Sequence, residues 1–295
     1  MIELLSSRKQ PEPMQSYSSK EELREQLNSV RQGKRIVLVP TMGALHEGHK
    51  NLLVEARKMA EETGIVVASI FVNPIQFDNT NDLATYPRTL DSDLAICQNA
   101  GVDYVFTPTP EIMYSPDRSI AIEENSLSTK LCGASRPGHF TGVCTVVAKL
   151  FNIVQPTDAI FGKKDFQQLA IIRRMVRDLD IPVTIHGVEI VRADNGLAFS
   201  SRNARLTPDQ KKAAPVLRKL LLQARNEYSA GESLDTIRRN ALETIASVPN
   251  TQVDYIEIVH AETMQSLDNN DHSSPALMAL AVFFGDVRLI DNIEL

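Results

Sequence analysis

The chain has 295 residues, 43% of them hydrophobic and 23% charged, with a net charge of -6 and a pI near 5.6. That is enough for one large or two ordinary domains with a sizeable core, and the acidic balance argues against a nucleic-acid surface, which is normally basic. No run approaches 18 apolar residues, so no membrane span is expected.

The N-terminus, Met1 to Ser16, lacks the basic start and long apolar stretch of a signal peptide. Gln10 to Gln15 holds two prolines and reads as a flexible leader. Cys97, Cys132 and Cys144 are odd in number and have no metal-type spacing. Idle thiols in a reducing cytoplasm are the default.

Ser19 followed by Glu22 is a capping-box signal, opening a helix over about Lys20 to Arg31 with Leu23, Leu27 and Val30 on one face. A strand from Arg35 to Val39 leads through a glycine-bearing turn to a helix from Gly48. The apolar, β-branched run Ile65 to Val72 reads as a strand buried on both faces of a parallel sheet. A helix over Leu90–Ala100 precedes a strand over Asp103–Phe106. The helix Thr141–Ile153 leads to a strand Asp158–Phe161, and the helix Phe166–Asp178 to a strand Val183–Val188. Such alternation predicts an α/β fold with an open, Rossmann-like doubly wound parallel sheet. Ligands there sit beyond the carboxyl ends of the strands, which is where Pro40, Asn73 and Gly162 fall. After about Val188 come helices near Pro208–Ala230 and Leu234–Ala246, then strands near Tyr255–Val259 and Leu277–Phe284. Residues 1–188 are therefore expected to form the large domain, and residues 189–295 a smaller C-terminal α+β domain.

The richest stretch is Pro40-Thr-Met-Gly-Ala-Leu-His-Glu-Gly-His49. Gly43 and Gly48 allow close backbone approach or positive φ, and the following helix start suits an anion. Three motifs nearly fit. The glycine spacing is that of a P-loop, but His49 and Lys50 replace its Lys and Ser/Thr. His46-Glu-Gly-His49 is one residue short of the helical zinc motif, and no G-x-G-x-x-G follows the strand. Alone, the tetrapeptide reads as a strand-to-helix turn with a capping histidine. The ten-residue run is similar to the His-x-Gly-His phosphate loop of class I nucleotidyl transferases.

Further motifs follow in order: Ser69 to Phe77, Tyr86 to Thr89, Ser135 to Phe140, Gly162 to Gln168, Ser200 to Asn203, and Arg288 to Asn292. With the first, they make the chain resemble the pantothenate synthetase (pantoate–β-alanine ligase) family over nearly its whole length. The resemblance implies ATP-dependent condensation of (R)-pantoate with β-alanine through a pantoyl-adenylate. It implies a homodimer, while the acidic charge and the lack of a long apolar run lead to the expectation of a cytoplasmic protein with no nucleic-acid or membrane partner.

The family's ATP loop corresponds here to Met42, Gly43, Ala44, Leu45, His46, Glu47, Gly48 and His49. His49 would contact phosphates in the acid role, with His46 assisting. Gly162, Lys163, Lys164 and Asp165 resemble the family's Gly-Glu-Lys-Asp nucleotide segment. Lys164 would stabilise phosphate charge and Asp165 would position the ribose. Lys163 departs from the family's Glu, either adding positive charge near the phosphates or pointing to solvent. Phe199, Ser200, Ser201 and Arg202 resemble the second phosphate-binding motif, with Phe199 in place of Leu. Val191 matches the position whose backbone meets adenine. Gln76 and Gln168 match the pantoate-binding glutamines, and Gln76 would also touch β-alanine. Arg136 and His139 are implied as substrate-binding or closing residues. Mg2+ would accompany ATP, held mainly by phosphates and water, with Asp91 and Asp93 as candidate ligands. Ser92 breaks the acidic run the family has there. Rival expectations are a nucleotidyl transferase with another acceptor, for which Gln76 and Gln168 are not needed, and a nucleotide-sensing protein without turnover.

Overall fold

A computed structural model describes residues 13–295. Residues 10–12 of the expected leader lie outside them, and Gln15 already belongs to a strand. Six parallel strands form one sheet: β1 (Gln15–Tyr17), β2 (Ile36–Thr41), β3 (Ile65–Ile70), β4 (Tyr104–Phe106), β5 (Asp158–Gly162) and β6 (Thr184–Val188). Their order is β1-β4-β3-β2-β5-β6. Successive crossovers run one way from β2 to β4 and the other way from β5 to β6. The switch point is thus between β2 and β5, where a doubly wound sheet opens its ligand crevice.

The strand pattern explains the layers. Along β2, Ile36 and Leu38 enter one core while Val37 and Val39 enter the other. Along β3, Ile65 and Val67 alternate in the same way with Val66 and Ala68. One face is covered by the helices Lys20–Val30, His139–Val154 and Phe166–Asp178, and the other by Glu47–Ala60 and Leu90–Asn99. Ser19 caps the first helix, its hydroxyl accepting from the Glu22 N–H and donating to the Glu21 carboxylate. Such a cap is worth about 1 kcal/mol.

A second sheet is antiparallel: β7 (Thr251–His260), β8 (Ala276–Phe284) and β9 (Val287–Glu294). In β8, Met278, Leu280 and Val282 face a separate core under the helices Val216–Ser229 and Leu234–Ala246. Leu277 and Ala279 face back into the core of the parallel sheet. Both faces are buried, which accounts for its unbroken apolar run. The expected helix Pro208–Ala230 is two helices, Pro208–Ala213 and Val216–Ser229. Pro215 lies between them and cannot donate the helical N–H. The first carries the full capping box, Thr207 with Gln210. The strand β9 was not expected; it follows β8 through the two-residue turn Gly285-Asp286, with Gly285 at φ 57°.

Asp158 ties three strands at the amino edge of the sheet. It is 3% exposed and accepts from Arg35 Nε at 2.9 Å, Thr157 Oγ1 at 2.7 Å and His186 Nε2 at 2.7 Å. Burial works to raise its pKa, but the bonds from Thr157, His186 and Arg35 outweigh it and hold the carboxyl below the usual range. Its contribution is therefore complete above about pH 4 and is lost as pH falls through the lower folded value. Asp158→Ala should cost about 3 kcal/mol at neutral pH, since three donors lose a charged acceptor. Urea unfolding checks this: a lower midpoint at unchanged slope is expected, and a loss below about 0.5 kcal/mol would contradict it.

Candidate active site

A cleft lies over the carboxyl ends of β2, β3 and β5, with an empty volume of about 1420 Å³ including open solvent at its mouth. Its walls hold Met42, His46, Gly48 and His49, then Gln76, Arg136, His139, Gly162, Lys164, Asp165 and Gln168. Val191, Phe199, Ser200, Ser201 and Arg202 complete the far side. Most residues singled out in the sequence thus converge. Gly43, Ala44, Leu45, Glu47 and Lys163 do not line the cleft, and neither do Asp91 and Asp93.

The turn after β2 explains why. Gly43 and Ala44 are both left-handed, at φ 78° and 50°. The buried Asp93 carboxylate lies beneath them, accepting from Ala44 N–H at 3.0 Å and Leu45 N–H at 2.8 Å. Thr89 Oγ1 donates to it at 3.1 Å. Asp93 is thus committed to holding the turn, and Asp91 is exposed on the helix Leu90–Asn99. Glu47 is exposed too, beside Lys50.

His46 caps the helix Glu47–Ala60, its Nδ1 accepting from Gly48 N–H at 3.1 Å. Its proton therefore sits on Nε2. The His49 ring lies 4.1 Å from the His46 ring, and its buried Nδ1 has no partner. Burial pushes the His46 pKa down to about 4, helped by the Lys164 charge. Burial, then His46 and Lys164, push His49 down to about 3. Both imidazoles are neutral at pH 7.

The turn after β5 supplies a cation. Lys164 Nζ lies 3.4 Å from Asp165 Oδ1. Burial tends to raise the Asp165 pKa, but Lys164 and then Arg202 bring it below the usual range. Lys163 turns the other way, pairing with Glu189 and, at 3.0 Å, with Glu294. It does not line the cleft, and its ammonium sits in a partly exposed ion pair at the surface. Opposite, Ser200 caps the 3-10 turn Ser201–Arg205 by accepting from Arg202 N–H. Arg202 Nη2 and Arg205 Nη1 both donate to Asp82, at 2.9 and 3.2 Å. Asp82 had no sequence signal: it is one polar residue in a short polar helix.

Beside this cationic zone is a neutral pocket. Gln76 is 7% exposed; its Oε1 accepts from Asn73 Nδ2 at 2.9 Å and its Nε2 donates to Met42 Sδ. Asn73 Nδ2 also donates to Gly142 O, and Asn73 Oδ1 accepts from Tyr114. A Cβ on Gly142 would lie 2.6 Å from Gln76 Cα, so only glycine admits this approach. His139 Nδ1 donates to Gln76 O at 2.8 Å, leaving Nε2 to accept from Arg136, whose Nε donates to Asp78. Burial and then Arg136 push His139 to about 4. Phe71, Phe77, Val143 and Val147 give the pocket apolar walls. The sequence reading placed Asn73 at this edge without a role. Ser69, which opens the same motif and likewise had no role of its own, has a buried Oγ without a partner.

Among the described residues no three His, Cys, Asp or Glu side chains form a metal-holding group. The cleft carboxylates Asp165 and Glu189 each pair with a lysine, Lys164 and Lys163, so a hard cation would rely mainly on oxygens of its own ligand. No helix among these residues is long and apolar enough to cross a membrane.

A family model for pantoate–β-alanine ligase matches residues 15–294. The pantothenate synthetase of Akkermansia muciniphila is 66% identical over 283 residues, 96% of this chain and 100% of the relative. That of Maridesulfovibrio salexigens is 48% identical, spanning 95% and 99%. The solved pantothenate synthetase of Thermus thermophilus matches with a TM-score of 0.89 at 45% identity, covering 95% of this chain and 99% of that one. The Francisella tularensis pantoate–β-alanine ligase, complexed with beta-gamma ATP and β-alanine, has a TM-score of 0.77 at 34% identity, covering 95% and 97%.

The three depressed imidazoles give a pH test. A histidine near 6.5 when unfolded and lower when folded binds its proton preferentially in the unfolded state. Stability should thus hold above about pH 6.5 and fall as pH drops toward the folded values. Imidazole resonances of His46, His49 and His139 should keep their neutral form down to about pH 5. Titration of any of the three near pH 6.5 in the free protein would contradict the burial described.

Proposed function

The chain belongs to the pantoate–β-alanine ligase family, and from that premise we propose that it condenses (R)-pantoate with β-alanine, consuming ATP. AMP and diphosphate are released, and a pantoyl-adenylate is the intermediate. One observation carries this reading. A histidine-capped helix start, flanked by Lys164 and Arg202 from two other turns, and a neutral amide pocket share one cleft at the switch point of the sheet. A triphosphate suits the first and a small hydroxy acid the second.

The chemistry runs in two steps. A carboxylate is a poor acyl donor, because an amine attacking it must expel oxide. In the first step a pantoate carboxylate oxygen attacks the α-phosphorus of ATP, and the bond to diphosphate breaks. Charge grows on the phosphate oxygens, where fixed donors help most. Lys164 and Arg202 supply positive charge, and His46 offers its Nε2–H. His49 completes the histidine pair beside the phosphates. Arg202 exchanges its Asp82 partner for phosphate oxygens. In the second step the β-alanine amine attacks the acyl carbon, and AMP leaves with the bridging oxygen. Mg2+ fits as a companion of the phosphates rather than of a protein cage; it supplies charge neutralisation when bound. Gln76 and Gln168 hold pantoate, and Gln76 adjoins β-alanine. Arg136 and His139 act on the same pocket, fixing the backbone of Gln76. Val191, Phe199 and the Ser200–Ser201 pair flank the nucleotide. Residues 189–295 act as a lid, and the enzyme works as a cytoplasmic homodimer.

The direct test is a partial reaction. With ATP, Mg2+ and pantoate at high enzyme concentration, diphosphate should appear in single turnover before β-alanine is added. Its appearance only with the amine present would exclude the two-step route.

Truncation separates the two halves of the cleft. Gln76→Ala and Gln168→Ala should each weaken pantoate binding by about 1–3 kcal/mol per lost contact while ATP binding stays nearly intact. His49→Ala should impair diphosphate release and largely keep pantoate affinity. Calorimetry with each ligand separately checks the division. Loss of ATP binding in both glutamine variants, with pantoate binding untouched, would reverse the map.

A further inference from the structure

The stretch Arg288 to Asn292 lies on β9, in the second sheet, yet its last residue reaches the nucleotide turn of the first. Asn292 is 6% exposed. Its Nδ2 donates to Lys163 O at 3.0 Å and to Lys164 O at 2.9 Å. One amide group thus holds two successive carbonyls of the turn that carries Lys164. Asn292 is itself fixed. Its backbone N–H donates to Asp291 Oδ1 at 2.8 Å, and Asp291 is buried in a two-bond pair with Arg192 at 2.7 and 2.8 Å. From the same strand, Glu294 pairs with Lys163. That partly exposed pair is worth little by itself. The buried amide is different, because unpaired carbonyls there would be costly.

We propose that Asn292 is a positioning residue for the ligase reaction: through the Lys163 and Lys164 carbonyls, β9 sets where the Lys164 ammonium stands. The second sheet then acts on the chemistry as well as covering the cleft. A turn held at both carbonyls cannot rotate its peptide planes, so the Lys164 side chain starts from a fixed backbone. Displacement of a catalytic group by about 1 Å can cost up to roughly a hundredfold in rate. The inference rests on the role given to Lys164 above.

The experiment is a double-mutant comparison read as single-turnover diphosphate release with ATP, Mg2+ and pantoate. Asn292→Ala should slow release about tenfold while pantoate affinity changes less than about twofold. In a Lys164→Ala background, Asn292→Ala should change the rate by less than about twofold, because the group it positions is gone. A residue that merely supports the fold would slow both backgrounds alike. If the two losses multiply, or if Asn292→Ala alone leaves the rate unchanged, the inference is overturned. A Lys164→Ala enzyme with near-normal rate would instead remove the reading of Lys164 on which it rests. Asn292→Asp keeps the side-chain shape and removes the N–H donors; it carries the same comparison if the alanine variant does not fold.

Discussion

A buried carboxylate on one helix fixes the turn on which the histidine-bearing side of the cleft is built. Asp93 accepts the N–H groups of Ala44 and Leu45, two residues that would otherwise leave backbone donors unpaired. Ala44 stands in the left-handed region, which costs a non-glycine residue about 1 kcal/mol or more. Each such hydrogen bond is worth about 0.5–1.5 kcal/mol net, and the two together offset that strain. With the turn so held, His46 falls at the helix cap and His49 one turn in, side by side. Thr89 donates to Asp93 and Tyr86 lies against Ser201, so the Tyr86 to Thr89 stretch serves both walls.

Electrostatics in the cleft follow from that placement. Burial of the two rings, with the Lys164 charge beside them, keeps both imidazoles neutral. Arg202 and Arg205 share Asp82, and Arg136 is paired with Asp78. The cleft therefore stores positive charge against weak or replaceable partners. A polyanion entering it would meet donors already aimed and would displace side-chain contacts. Next to it, the pocket around Gln76 is held by neutral amides, a neutral imidazole and a glycine that admits no substituent.

Much of this was legible in the residues. Nearly unbroken apolar runs marked β2, β3 and β5, because those strands are buried on both faces. The glycines and histidines of the Pro40–His49 stretch marked the cleft. Other parts needed three dimensions. β1 is three residues long, and its partner β4 is far away in sequence. The break at Pro215 was visible as a proline but was read through. Asp93 was expected near a metal; the sequence could place it on a helix but could not show that its oxygens point beneath the turn. Lys163 was read as facing phosphate or solvent; its glutamate partners, Glu189 and Glu294, come close only when β6 and β9 are assembled. The roles of Asn73, Asp82 and Asn292 likewise depend on partners remote in the chain.

The most direct measurement follows an oxygen atom. Pantoate labelled with heavy oxygen in its carboxylate is turned over with ATP and β-alanine, and the products are weighed by mass spectrometry. If the carboxylate attacks the α-phosphorus, one labelled oxygen passes into AMP and the diphosphate stays unlabelled. Label in the diphosphate, or in neither phosphate product, would contradict formation of a pantoyl-adenylate in this cleft.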